Sequence, residues 1–121
     1  MEWTRERRIY PARYLYSRDG DTYCFLADSG LHGRQEWAFR LKDFDAWEKR
    51  QRKGPKATKF AEAWFKAHDH GASWPFTLIT MIDSSKSDFE RLTFDRFVAE
   101  VQCADGHPIG PDLKAAGMTK T

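Results

Sequence analysis

Carboxylate and guanidinium side chains gather in two short stretches in the first half of this chain. Asp19 and Asp21 stand in the run Asp19-Gly20-Asp21-Thr22, and Arg40 is followed closely by Asp45 and Glu48. If folding brings the two stretches together, Asp21 and Asp45 can share a hard cation such as calcium. Calcium takes oxygen ligands from carboxylates, backbone carbonyls and water. Two carboxylates on a cation, with arginines and one spare carboxylate beside them, suit hydrolysis of a phosphodiester. The cation neutralises charge on a phosphate oxygen. Glu48 is placed to take the proton of the attacking water. Guanidinium forks grip phosphate oxygens and offset the charge that builds in the transition state.

Those groups need elements to hold them. Residues 9–16 are rich in tyrosine and aliphatic residues and predict a first strand. Asp19-Gly20-Asp21 predicts a tight turn, because Asp-Gly supplies hairpin geometry. Strands are expected at 22–27 and 35–41, with a polar, glycine-containing loop over 28–33. Pro55 marks a helix start. Ala57, Phe60, Ala61, Trp64 and Phe65 recur at helical spacing and form one apolar face, which assigns them to the core. Strands at 75–82 and 94–103 and a short helix at 111–116 with Gly117 as its cap complete the chain. The expected class is mainly β with α (α+β). Its architecture is a five-stranded OB-fold barrel with a helix between strands 3 and 4 and a short C-terminal helix.

The wording of the motifs adds to this. Asp19-Gly20-Asp21-Thr22, then Phe39-Arg40-Leu41 with Asp45-Ala46-Trp47-Glu48, then Gly54-Pro55-Lys56-Ala57 follow one another in order. Later come Phe94-Asp95-Arg96-Phe97-Val98-Ala99 and Ala104-Asp105-Gly106, followed by Leu113 and Gly117. Together these blocks, over residues 9–118, resemble the thermonuclease (staphylococcal-nuclease-like) family. The resemblance implies that Asp21, Asp45 and the backbone carbonyl of Ala46 hold Ca2+. It implies that Arg40 grips the scissile phosphate, Glu48 is the general base, and Arg96 stabilises the charge on phosphorus. It also implies cleavage of DNA and RNA with low sequence preference, leaving 3′-phosphates. Trp47 stands where the family has proline, which would stiffen the loop. Asp95 stands where the family has glycine. Trp47 is a candidate for packing beneath the loop or stacking on a base.

Composition bounds the remaining possibilities. The 121 residues suit one domain spanning 1–121, with residues 1–8 as a basic N-terminal extension. A 40% hydrophobic, 15% aromatic chain can build a core and is not a disordered one. A net charge of +2 is too small to argue for nucleic acid. Local runs say more: Arg5, Arg7, Arg8, Arg13 and Arg18 form one, and residues 49–59 form another. In the second, Arg52, Lys53 and Lys56 are the expected contacts to flanking phosphates. With the resemblance, these runs make DNA or RNA the expected partner; no stretch approaches the length of a membrane span, and a monomeric chain is expected. Met1–Arg8 is charged and lacks the apolar segment of a secretory leader, so the cytoplasm is the expected compartment. Cys24 and Cys103 are not paired in a CxxC motif and read as reduced, buried thiols. His68-Asp69-His70 reads as an exposed turn at a helix end. His32 and His107 fall in loops with no identifiable partner. Ser84, Ser85 and Ser87 lie in a polar loop without a histidine–acid pair to activate them. A catalytically silent OB-fold module that binds nucleic acid or protein is the competing expectation, with a basic accessory protein behind it.

Overall fold

Asp19-Gly20-Asp21-Thr22 forms the turn its composition predicts. Asp19 ends strand β1 (Arg5–Asp19), Gly20 and Asp21 make the turn, and Thr22 opens β2 (Thr22–Gly30). The computed structural model describes residues 5–31, 33–47, 51–83 and 96–120, with the backbone alone at 5–7, 81–83, 96 and 97. Three more strands follow: β3 (Gly33–Leu41), β4 (Phe76–Asp83) and β5 (Arg96–Cys103). Helix α1 (Gly54–His68) lies between β3 and β4, and α2 (Ile109–Ala115) follows β5. The sheet closes in the order β1-β2-β3-β5-β4, a mainly β, α+β fold of OB type.

Closure depends on β1, which is longer than the 9–16 expected from sequence. Its first half pairs antiparallel with β4, from Arg5↔Asp83 to Ala12↔Phe76. Its second half pairs with β2, from Ala12↔Ala27 to Asp19↔Thr22. One strand therefore serves two neighbours. Irregularities between Tyr14 and Tyr16 and between Ser17 and Asp19 interrupt its register, as expected of a strand that must bend. The strand takes in Arg5 to Arg8, so these residues are not the free basic extension that their charge suggests. A second difference lies at 28–33. β2 continues to Gly30 and Asp28 pairs with Arg34, so most of the expected loop is hairpin. Asp83 likewise ends β4 instead of starting a loop. Residues 84–90, with Ser84, Ser85 and Ser87, lie outside the described residues, as do His32 and Asp95.

The helices behave as their sequences predict. Pro55 sits in the first turn of α1, where a missing N–H is harmless. Ala57, Ala61, Trp64 and Phe65 are buried, and Phe60 packs against the same core. Phe65 stacks on Tyr14 at 4.2 Å and meets Phe25 and Phe76 edge-on, so the helix covers the barrel interior. Removing a ring buried this way costs about 3–5 kcal/mol. α2 ends in a Schellman turn: Gly117 is left-handed at φ +74°, its N–H bonds Lys114 O, and Met118 N–H bonds Leu113 O. Both thiols are free and buried. Among the described residues no helix is long and apolar enough to cross a membrane.

Candidate functional site

Four of the residues singled out by sequence meet at one place. Asp21 is in the first hairpin turn, Arg40 is near the end of β3, and Asp45 and Ala46 lie in the loop after it. The turn is tied to the strand by Leu41 N–H bonding Asp21 O at 2.7 Å. Arg40 Nη2 lies 3.2 Å from Asp45 Oδ1 and 3.9 Å from Asp21 Oδ2. Ala46 N–H bonds the same Asp21 Oδ2 at 3.1 Å. One guanidinium thus faces two carboxylates that are distant in the chain.

Two glycines make this convergence sterically possible. A Cβ on Gly20 would lie 2.7 Å from Ala57 Cβ and 2.9 Å from Ala46 Cβ, closer than carbons can approach. The bare turn therefore lets α1 and the loop close on it together. A Cβ on Gly110 would strike the Phe44 ring, so the start of α2 seats the residue preceding Asp45. Asp43 supplies the sharp bend with φ +66°, a conformation aspartate tolerates better than most residues.

Burial sets the electrostatics. Asp21 is only 6% exposed, and this desolvation holds its carboxyl above the usual aspartate range. The Ala46 amide, the Arg40 guanidinium and the Thr22 hydroxyl pull it down, in that order, but do not win. The nearby Asp45 carboxylate pushes the same way as burial. Asp45 is half exposed, with Lys120 Nζ 3.9 Å from its other oxygen. Such a donor set fits a hard cation: two carboxylates, one of them poorly stabilised as an ion, and a backbone carbonyl. Ala46 is held extended by bonds on either side of it, so its carbonyl faces the same way as the N–H that reaches Asp21. Among the described residues no group of three His, Cys, Asp or Glu side chains clusters as a metal site.

Trp47 follows directly. Its backbone N–H bonds Met118 O at 3.3 Å, its ring is half buried, and its indole Nε1 is buried without a hydrogen-bond partner among the described residues. Lys53 Nζ stands 5.6 Å from the ring centre. Lys53, Arg52 and Lys56 are exposed at the start of α1, whose first turn carries no acidic residue. Ala57, one residue after Lys56, packs on Gly20 beside Asp21. Glu48 lies outside the described residues, as do Lys49 and Arg50. Arg96 opens β5 in register with Ala38 on the parallel β3, two positions before Val98, which pairs with Arg40; its side chain lies outside the described residues.

A second polar cluster is not legible in the sequence. His107, expected to have no partner, bonds Asp112 Oδ2 at 2.7 Å, and Trp64 Nε1–H donates to the same oxygen at 2.8 Å. His68 stacks on Trp64 at 4.1 Å and bonds its carbonyl. Burial raises the Asp112 carboxyl, but the Trp64 and His107 bonds outweigh it and hold the group below the usual aspartate range. The spacing of Trp64 and His68, one helical turn apart, is the available signal. His107 and Asp112 meet because β5 turns straight into α2.

No family model matches this chain, and no curated protein is significantly similar to it.

Proposed function

We propose that this chain is a calcium-dependent nuclease of the thermonuclease-like type, hydrolysing phosphodiester bonds of DNA or RNA. The observation that supports the reading best is the meeting of Asp21 with Arg40 and Asp45, two stretches distant in the chain. Asp21, Asp45 and the Ala46 carbonyl would hold the calcium ion. When bound, the ion neutralises a phosphate oxygen and orients the diester. Arg40 has five N–H donors and uses few of them on the carboxylates, so others can fork onto phosphate oxygens. Glu48 would accept the proton of the attacking water, and Arg96 would stabilise charge on the phosphorus. Arg52, Lys53 and Lys56 would take flanking phosphates, and Trp47, capped by Lys53, would line the approach to the scissile bond.

The test is digestion of a fluorescent single-stranded DNA in calcium, with and without a chelator. Cleavage is expected in calcium and not in the chelator. Glu48→Ala and Arg96→Ala are each expected to slow it by about 10²–10⁴. Wild-type and Glu48→Ala proteins cleaving at equal rates would refute the mechanism. A gel shift that needs no calcium and yields no product would identify a silent OB-fold binding module instead.

A further inference from the structure

We propose that residues 118–120 are a strap that positions the carboxylate loop through backbone bonds, chiefly the Lys120 N–H. The loop runs from the end of β3 to Trp47. Among the described residues its one strand-like pairing is the isolated antiparallel bridge Ala46↔Thr119. Two bonds make the bridge: Lys120 N–H to Asp45 O at 2.8 Å, and Trp47 N–H to Met118 O at 3.3 Å. They bracket Ala46, keep it extended, and so aim its own N–H at Asp21 Oδ2. The bond from Lys120 also fixes the backbone of Asp45, the residue whose carboxylate faces Arg40. Ala46 and Thr119 are both buried, 1% and 9% exposed, so water does not replace these bonds readily.

The strap is itself anchored. The Schellman turn at Gly117 fixes the direction in which Met118 leaves α2, and Gly110 in the same helix seats the Phe44 ring. One short helix therefore holds both flanks of Asp45. Backbone bonds, not the ammonium group, carry the effect: Lys120 Nζ is 3.9 Å from Asp45 on a half-exposed pair, and such pairs contribute little. Proline at 120 would delete the shorter bridge bond, because it has no N–H.

The inference rests on the proposed calcium role only for its functional consequence, and the experiment separates the two. Full-length Lys120→Pro is compared with Lys120→Ala, which keeps the N–H. Amide exchange of Ala46 is followed without calcium, with Phe25 in β2 as the reference for an intact barrel. The shift in melting temperature on adding calcium chloride is measured on the same proteins. Lys120→Pro is expected to speed Ala46 exchange about tenfold, the effect of losing one net hydrogen bond, with Phe25 unchanged. It should lose at least half of the calcium-induced shift, and Lys120→Ala should keep wild-type values. Unchanged Ala46 exchange in Lys120→Pro overturns the strap. Faster exchange with an undiminished calcium shift overturns its positioning role. A wild-type protein with no calcium shift refutes the calcium reading, and the exchange measurements then decide the strap by themselves. If Lys120→Pro fails to fold, the wild-type Lys120 amide decides: slow exchange supports the strap, and exchange at the free-peptide rate overturns it.

Discussion

Replacing Asp21 with asparagine should make the metal-free protein more stable, even though it removes the best-placed carboxylate. Asp21 is 6% exposed and its carboxyl lies above the ordinary value of 3.8 in the folded chain. Burial is the main cause, and neither the Ala46 amide nor Arg40 offsets it. A folded state with a raised carboxyl pKa binds that proton more tightly than the unfolded chain does. The associated stability is therefore complete below the unfolded value and is lost as pH climbs through the folded one. At pH 7 the ionised carboxylate is a net burden on the fold. Asparagine keeps the shape and an acceptor for Ala46 N–H, and Arg40 retains Asp45 at 3.2 Å. Relief of a strained functional site is worth about 0.5–2 kcal/mol. At about 2.1 cal/mol/K per residue, unfolding 121 residues carries about 0.25 kcal/mol/K. The gain then reads as roughly 2–8 °C in a thermal melt at pH 7 with a chelator. The advantage should shrink toward pH 4 and below, where wild-type Asp21 is itself protonated. In calcium the order should reverse, because only the wild type gains about 2.7 kcal/mol at a hundredfold excess over its dissociation constant. A variant that melts below wild type at pH 7 without metal, or whose advantage persists in acid, would refute the electrostatic reasoning.

Three further outcomes are expected. Gly20→Ala should lower stability by about 1–3 kcal/mol, read by denaturant titration, because its Cβ meets Ala57 and Ala46 at once; an unchanged midpoint would show that α1 and the loop can part without loss. Asp112→Asn should remove a contribution that is present above the ordinary carboxylate range and lost as pH falls through the lowered value, since this carboxyl is depressed by Trp64 and His107. Its destabilisation, followed by thermal melts, should therefore be visible at pH 6 and fade in strong acid. Combined Arg52→Ala, Lys53→Ala and Lys56→Ala substitution should flatten the dependence of DNA affinity on log salt by about two to three units, and an unchanged slope in fluorescence anisotropy would place the DNA elsewhere.

Local signals account for the part of the fold that is legible in the order of residues. Asp19-Gly20 marks the first turn, Pro55 the start of α1, and the Ala57–Phe65 spacing its buried face, because each depends on residues a few positions apart. The succession of strands, helix and strands then leaves an OB-type barrel as the natural closure. Where the expectations fail, the cause is contact between distant segments. β1 extends to Arg5 because β4 offers it a partner, and β2 runs on to Gly30 because Asp28 pairs with Arg34.

The candidate site divides along the same line. Residue types alone suggest a cation held by Asp21 and Asp45 with Arg40 beside it. Their meeting, the burial that raises Asp21, and the bridge from Ala46 to Thr119 arise from closure of the barrel and from two glycines that let neighbours approach. Hydrophobic periodicity and turn chemistry act over one turn of chain and leave a trace in the order of residues. Desolvation and long-range backbone pairing depend on which surfaces finally touch, and no short run of sequence encodes that.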